Sequence, residues 1–235
     1  MNNSNNLDFF IHGYKQVHLF GGTFYITTTH VCMAIVFLVI LTFGIVAHHK
    51  IKKADPTKAP GKFVNVVELL VEKLDGLLID NMGPKLGPKF SNYVGSLFLF
   101  ILCCNLGGLF GLRSPTADFG VTFPLAMITF VLIQFQGFKS KGFGKIKELF
   151  EPIFLFFPLN VIGEVATPIS MSLRLFGNLL SGTIMMALVY GLLPKAVLLF
   201  WPAALHAYLD VFAGALQAYV FCILTMVFIK NAVEE

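Results

Sequence analysis

Four ionisable side chains stand where an apolar sequence should have none. Glu164, Arg174, His206 and Asp210 all fall inside two long hydrophobic tracts, about 152–193 and 197–229. An Arg or Asp at the centre of a bilayer costs about 2.5–3.5 kcal/mol on insertion scales, so such groups face protein or water and mark ion paths. Arginine cannot escape that cost by losing its proton, whereas a buried lysine readily shifts its pKa. The guanidinium in "SLRLFGNLLSG" (172–182) is therefore a fixed positive charge. Its chemistry is electrostatic: it favours the ionised form of any carboxylate brought near it in a low-dielectric setting. It also obstructs free cations from running past.

The spacing fits that chemistry. Ser170, Arg174, Gly177/Asn178 and Ser181 recur at i, i+4, i+7/8 and i+11, which lines one small, polar helix face. His206, Asp210, Ala213/Gly214 and Gln217 repeat the pattern in the last tract. Small residues beside polar ones let another helix approach closely. Taken singly, Asn178 and Gln217 read as interhelical hydrogen bonds, and His206 reads equally as a packing histidine. Glu164 lies ten residues before Arg174, about 15 Å along a straight helix. The two cannot pair directly, so the carboxylate that meets Arg174 comes from Asp210 or from another chain.

The elements that must hold these groups are membrane helices. The chain is 56% hydrophobic and only 13% charged, with 26 phenylalanines and a mean hydropathy of +0.78. Soluble domains carry ~25% charged residues. The predicted fold is all-α and polytopic: five membrane-spanning helices plus one amphipathic surface helix, in a single domain. Residues 1–25 form an outside N-terminal segment, polar in "MNNSNNLDFFIHGYKQ" and without the pattern of a cleavable signal peptide. The first span is 26–47. An amphipathic helix over 62–80 carries the stripe Val64, Val67, Val71, Leu74 and Leu78, and "NMGPKLGPKF" (81–90) reads as a loop. The second span is 91–112 and the third 120–138. Residues 150–193 and 197–230 make a hairpin. About 42 helical residues in the first tract rise ~63 Å against a hydrocarbon core of ~30 Å, so the tract either breaks into two upright helices or runs steeply tilted. Two upright helices would leave the last tract ending outside, which favours the tilted hairpin.

Lysines set the orientation. Lys50, Lys52, Lys53, Lys58, Lys62, Lys85, Lys89, Lys139, Lys141, Lys145 and Lys147 fall on one side, against Lys15, Arg113 and Lys195 on the other. The N-terminus is expected outside and the C-terminus in the cytoplasm. The net charge of +4 belongs to this asymmetry. No basic groove with interleaved aromatics is present, so nucleic acid is not an expected partner. Cys32, Cys103, Cys104 and Cys222 lie in apolar spans without metal-type spacing, which predicts buried thiols, no metal and no cofactor. Neither HExxH nor GxSxG occurs, which argues against an intramembrane enzyme. A self-contained secondary cation transporter is the alternative, but no internal repeat mirrors the arginine hairpin.

At "TPISMSLRLFGNLLSGT" (167–183) the chain resembles the a subunit of F-type ATP synthases, the membrane stator of the rotary motor. "SPTADFGVT" (114–122), "PLNVIGEVATPIS" (158–170) and "LDVFAGALQAYVFCILTMVF" (209–228) agree with the same family. The resemblance implies a bacterial plasma-membrane location. The implied partners are a c-ring, the peripheral-stalk subunit b and the rest of the F1F0 complex. It implies H⁺ as the transported ion, with Na⁺ as the alternative. Arg174 would face the ring carboxylates, with Asn178 one turn along. Glu164 and Asp210 would line two aqueous half-channels, Gln217 would pack or hydrogen-bond near Arg174, and Asp118 would sit at the outward entrance. Many bacterial relatives carry an acid nine residues after the arginine and a histidine seven before the glutamine. Thr183 and Asp210 stand there instead, so the acid has moved to the last helix.

Overall fold

The computed structural model describes residues 13–19, 22–54, 61–110, 114–148, 150, 154–192 and 201–234. Five helical stretches among them are long and apolar enough to cross a membrane. They are α1 (Thr28–Lys52), α2 (Lys62–Leu106), α3 (Phe119–Lys141), α5 (Phe157–Leu192) and a composite last stretch. That stretch begins as α6 (Trp201–His206), widens into a π-helix over Ala207–Ala213, and continues as α7 (Gly214–Glu234). The short α4 (Gly144–Glu148) links α3 to α5. The membrane body is all-α, with the expected five spans.

Two features depart from the sequence reading. The first lies in the N-terminal segment, where an antiparallel hairpin of β1 (Gly13–Leu19) and β2 (Gly22–Thr27) leads straight into α1. Its sequence signal is a Gly-Gly pair between two runs rich in β-branched and aromatic residues. The second is the supposed loop at 81–90, which is helical almost throughout and broken at a single residue. Gly83 takes φ +80°, ψ 167°, a conformation essentially closed to residues with a Cβ. Pro84 then opens the next helix at the position where a missing N–H is tolerated. The two halves of α2 fold back on one another. A Cβ on Gly87 would lie 3.1 Å from the Leu78 carbonyl carbon, and Ser91 Oγ donates to Asp75 Oδ1. The predicted stripe on the first half is mostly its packed face: Leu78 is fully buried and Val64, Val67 and Leu74 partly so, whereas Val71 is half exposed. Replacing Gly83 by Ala should therefore destabilise the chain by about 1–3 kcal/mol. A lowered unfolding temperature of the detergent-purified protein would register it; an unchanged one would contradict the strain.

The core runs along α7. Phe221, Cys222, Met226 and Ile229 pack with Val94, Leu97 and Ile101 of α2, Ala126 and Ile133 of α3, and Leu175 of α5. Tyr93 Oη and Thr129 Oγ1 meet at 2.8 Å between α2 and α3. By contrast α1 exposes Phe37, Leu38 and Val39, as a helix facing lipid would.

The helices share two ends. At one, Lys50 stacks over the Phe63 ring (4.4 Å) and Ser140 Oγ donates to the Val233 carbonyl. This lysine-rich end gathers the C-termini of α1, α3 and α7. At the other, Thr29 of α1 reaches Asp118 at the start of α3, and Asn105 near the end of α2 reaches Gly214.

Candidate functional site

Helix α5 has two faces. Pro168, Met171, Ser172, Leu175, Leu179 and Met186 are buried at helical spacing against the bundle. The opposite face is the predicted polar stripe: Ser170, Arg174, Gly177 and Ser181 are exposed and Asn178 is half-buried. Among the described residues Arg174 makes no hydrogen bond and no ion pair. Of the two carboxylate sources left open by its spacing, Asp210 is engaged elsewhere.

The acids sit in two clusters, one toward each end. Glu164 is at the lysine-rich end, two turns into α5. Its Oε1 lies 3.0 Å from Lys145 Nζ of α4, and its Oε2 accepts from Gln134 Nε2 of α3 at 3.2 Å. These groups line a cleft of about 150 Å³ with Thr167 and with Asn231 of α7.

Asp210 is at the opposite end, in the middle of the π-helical segment. With the acid ionised, His206 Nδ1 donates to its Oδ2 at 2.5 Å. The other imidazole nitrogen, Nε2, then accepts from the Tyr190 hydroxyl of α5 at 3.2 Å. A Cβ on Gly108 would meet the Asp210 carboxyl carbon at 3.0 Å, so the carboxylate packs closely over this glycine. π-Helical turns are rare and concentrate at functional sites. Here Asn105 anchors the segment's end: its Nδ2 donates to the Gly214 carbonyl (2.8 Å), while its Oδ1 accepts from Thr116.

The remaining predicted residues divide. Gln217 is buried, and its Nε2 has no hydrogen-bond partner among the described residues. It faces into the bundle while Arg174 faces out, so the two do not bond. Asp118 caps α3, accepting from the Gly120 N–H (2.9 Å) and from Thr29 Oγ1 (3.2 Å). It shares the end of the bundle that holds Asp210. The stripe His206–Asp210–Gln217 turns inward where the α5 stripe turns outward, although the two look alike in sequence. Tyr190, Lys145, Gln134 and Asn105 were not singled out as site residues from the sequence. Each reaches the site from another helix, and only Asn105 and Gln134 left a trace, as polar residues inside apolar spans.

Fold and site together define a multi-pass α-helical membrane protein that presents a guanidinium, unpaired among the described residues, on one face, with an acid cluster toward either end. A family profile described as "ATP synthase A chain" matches residues 30–230. The chain is 39% identical over 184 residues to the "ATP synthase subunit a, sodium ion specific" of Propionigenium modestum, a match covering 70% of this chain and 62% of that protein. It is 35% identical over 213 residues to the ATP synthase subunit a of Sulfurihydrogenibium sp. (strain YO3AOP1), covering 88% of this chain and 97% of that one. It is also 35% identical over 184 residues to that of Desulforamulus reducens, covering 76% and 70%. The chain thus spans less than two thirds of the Propionigenium protein and almost all of the Sulfurihydrogenibium one. It belongs to the ATP synthase subunit a family.

Proposed function

We propose that this chain is the stator subunit of a rotary F-type ATP synthase in a bacterial plasma membrane, working against a ring of c subunits and held by a subunit b stalk. The observation that carries this reading is the uncovered stripe around Arg174. An exposed guanidinium on a membrane helix cannot face lipid, and no carboxylate among the described residues neutralises it. A ring carboxylate passing this face supplies what is missing. Such a carboxylate must be neutral, with its ion bound, while it crosses lipid. Opposite Arg174 its ionised form is favoured, so it gives up its ion there and reloads on the far side. Because pairing must be brief, the contact stays partly hydrated. The membrane field supplies ~2.3 kcal/mol per charge per 100 mV to drive the exchange.

The Asp210 cluster serves one half-channel and the Glu164 cleft the other, with Arg174 between them on α5. The lysine-rich end is cytoplasmic and the N-terminus is outside. In that orientation a cysteine replacing Phe110, 81% exposed, is labelled only from outside. One replacing Phe143, 88% exposed, is labelled only from the cytoplasm. Outside labelling at position 143 would overturn the orientation.

The ion in this reading is H⁺. An imidazole between a phenol and a carboxylate takes a proton at one nitrogen and releases one at the other, a relay that no metal cation can follow. Na⁺ is the second reading, because the Propionigenium relative is named as sodium specific. ATP-driven pumping by the complex in proteoliposomes decides between them. The proton reading expects acidification of the lumen without sodium; strict dependence on sodium would replace it.

A further inference from the structure

The geometry points to Lys145 as a specificity-setting residue of the lysine-rich cleft: a tethered cation that occupies Glu164 and sets how readily a transported ion loads from the cytoplasm. This rests on the reading of Glu164 as part of the ion path. Lys145 comes from α4, outside the spans, yet its side chain is only 13% exposed and its ammonium lies 3.0 Å from Glu164 Oε1. Its stem crosses Gly137 of α3, where a Cβ would touch Lys145 Cδ and Cε at 3.4 Å and the Ala232 carbonyl oxygen at 3.5 Å. The lysine is thus threaded between α3 and α7 to reach an acid on α5.

The other described residues that line the cleft are uncharged. Gln134 of α3, Thr167 of α5 and Asn231 of α7 line the cleft, and among the described lining residues Lys145 and Glu164 are the only charges. The pair sums to zero. Without the ammonium, the cleft carries a full negative charge and draws cations in. With it, an entering cation meets a like charge and must displace it from the carboxylate. A partly screened unit charge of this kind changes local occupancy by about threefold to tenfold. The effect falls on loading, so it appears in the half-saturating ion concentration on the cytoplasmic side.

The test uses the complete complex in inside-out proteoliposomes, with ATP-driven pumping measured while external H⁺ and Na⁺ are titrated separately. Lys145→Met keeps the stem across Gly137 and removes the charge, and Lys145→Gln is the second neutral variant. Both should lower the half-saturating concentration of the pumped ion about threefold to tenfold, and Lys145→Arg should restore the wild-type value. An unshifted value in assembled Lys145→Met complexes overturns the assignment. So does failure of both neutral variants to assemble while Lys145→Arg assembles, which makes the ammonium a structural strut. Glu164→Gln separates the two readings. If it leaves loading unaltered, Glu164 is outside the path. If it impairs loading while Lys145→Met changes nothing, only the role of Lys145 falls.

Discussion

Replacing Arg174 by Ala should abolish ATP synthesis by the assembled complex. A unit charge about 4 Å from a carboxylate is worth about 4 kcal/mol at an effective dielectric of 20. With ~1.36 kcal/mol per tenfold in rate, its loss takes coupled flux down by more than about a hundredfold. The fold should hardly notice. Arg174 is exposed and has no partner among the described residues, and surface substitutions of that kind stay within about 0.5 kcal/mol. Assembly and thermal stability should therefore match wild type while synthesis disappears. The half-channel acids remain in place, so passive ion conductance through the variant should persist or rise once the positive barrier is gone. The two quantities are measured in the same vesicles. Substantial net synthesis by Arg174→Ala would rule out the proposed exchange at this charge.

The Arg174 face was legible because helix periodicity needs only local information. Apolar residues at 168, 171, 175, 179 and 186 define one side, and the small polar residues at 170, 174, 177 and 181 must then fall on the other. The spans followed from the same local signal plus length. The break at Gly83 was not legible as such. A single positive-φ glycine followed by proline is locally indistinguishable from a Gly-Pro loop, and only the contacts of Gly87 and Ser91 with the preceding helix reveal the fold-back. The π-helical segment left no local mark. Its end is held by Asn105, whose partner Gly214 lies 109 residues away. Tyr190 and Lys145 are invisible for the same reason: their roles are set by how helices are juxtaposed. The inward turn of the His206–Asp210–Gln217 stripe shows the limit from the other direction. Small and polar residues at helical spacing identify a face, but which neighbour covers that face is decided by the rest of the bundle.

Asp210→Asn should act in the opposite sense to Arg174→Ala, reducing coupled flux and leak together. The amide can still accept a hydrogen bond from His206 Nδ1, so the π-helical segment anchored by Asn105 should keep its shape. What the amide cannot do is hold and release an ion. Proton transfer through a positioned acid typically contributes about 10²–10⁴-fold, and water in a half-channel replaces part of that, so a loss of more than about tenfold is expected. His206→Ala should reproduce a fraction of the defect, because Asp210 then loses its link to Tyr190 while keeping its own charge. Tyr190→Phe should be the mildest of the three, since the Tyr190 hydroxyl is exposed and water can take its place beside Nε2. The combination with Arg174→Ala is the decisive experiment. If Asp210 lines the path, the leak opened by removing the guanidinium must pass it, and Asp210→Asn will suppress that leak in the double variant. A leak that ignores Asp210→Asn would mean that ions reach the ring by another route. The Tyr190–His206–Asp210 chain would then be only a contact between α5 and the last span, and the acid's place on the final helix would have nothing to do with transport.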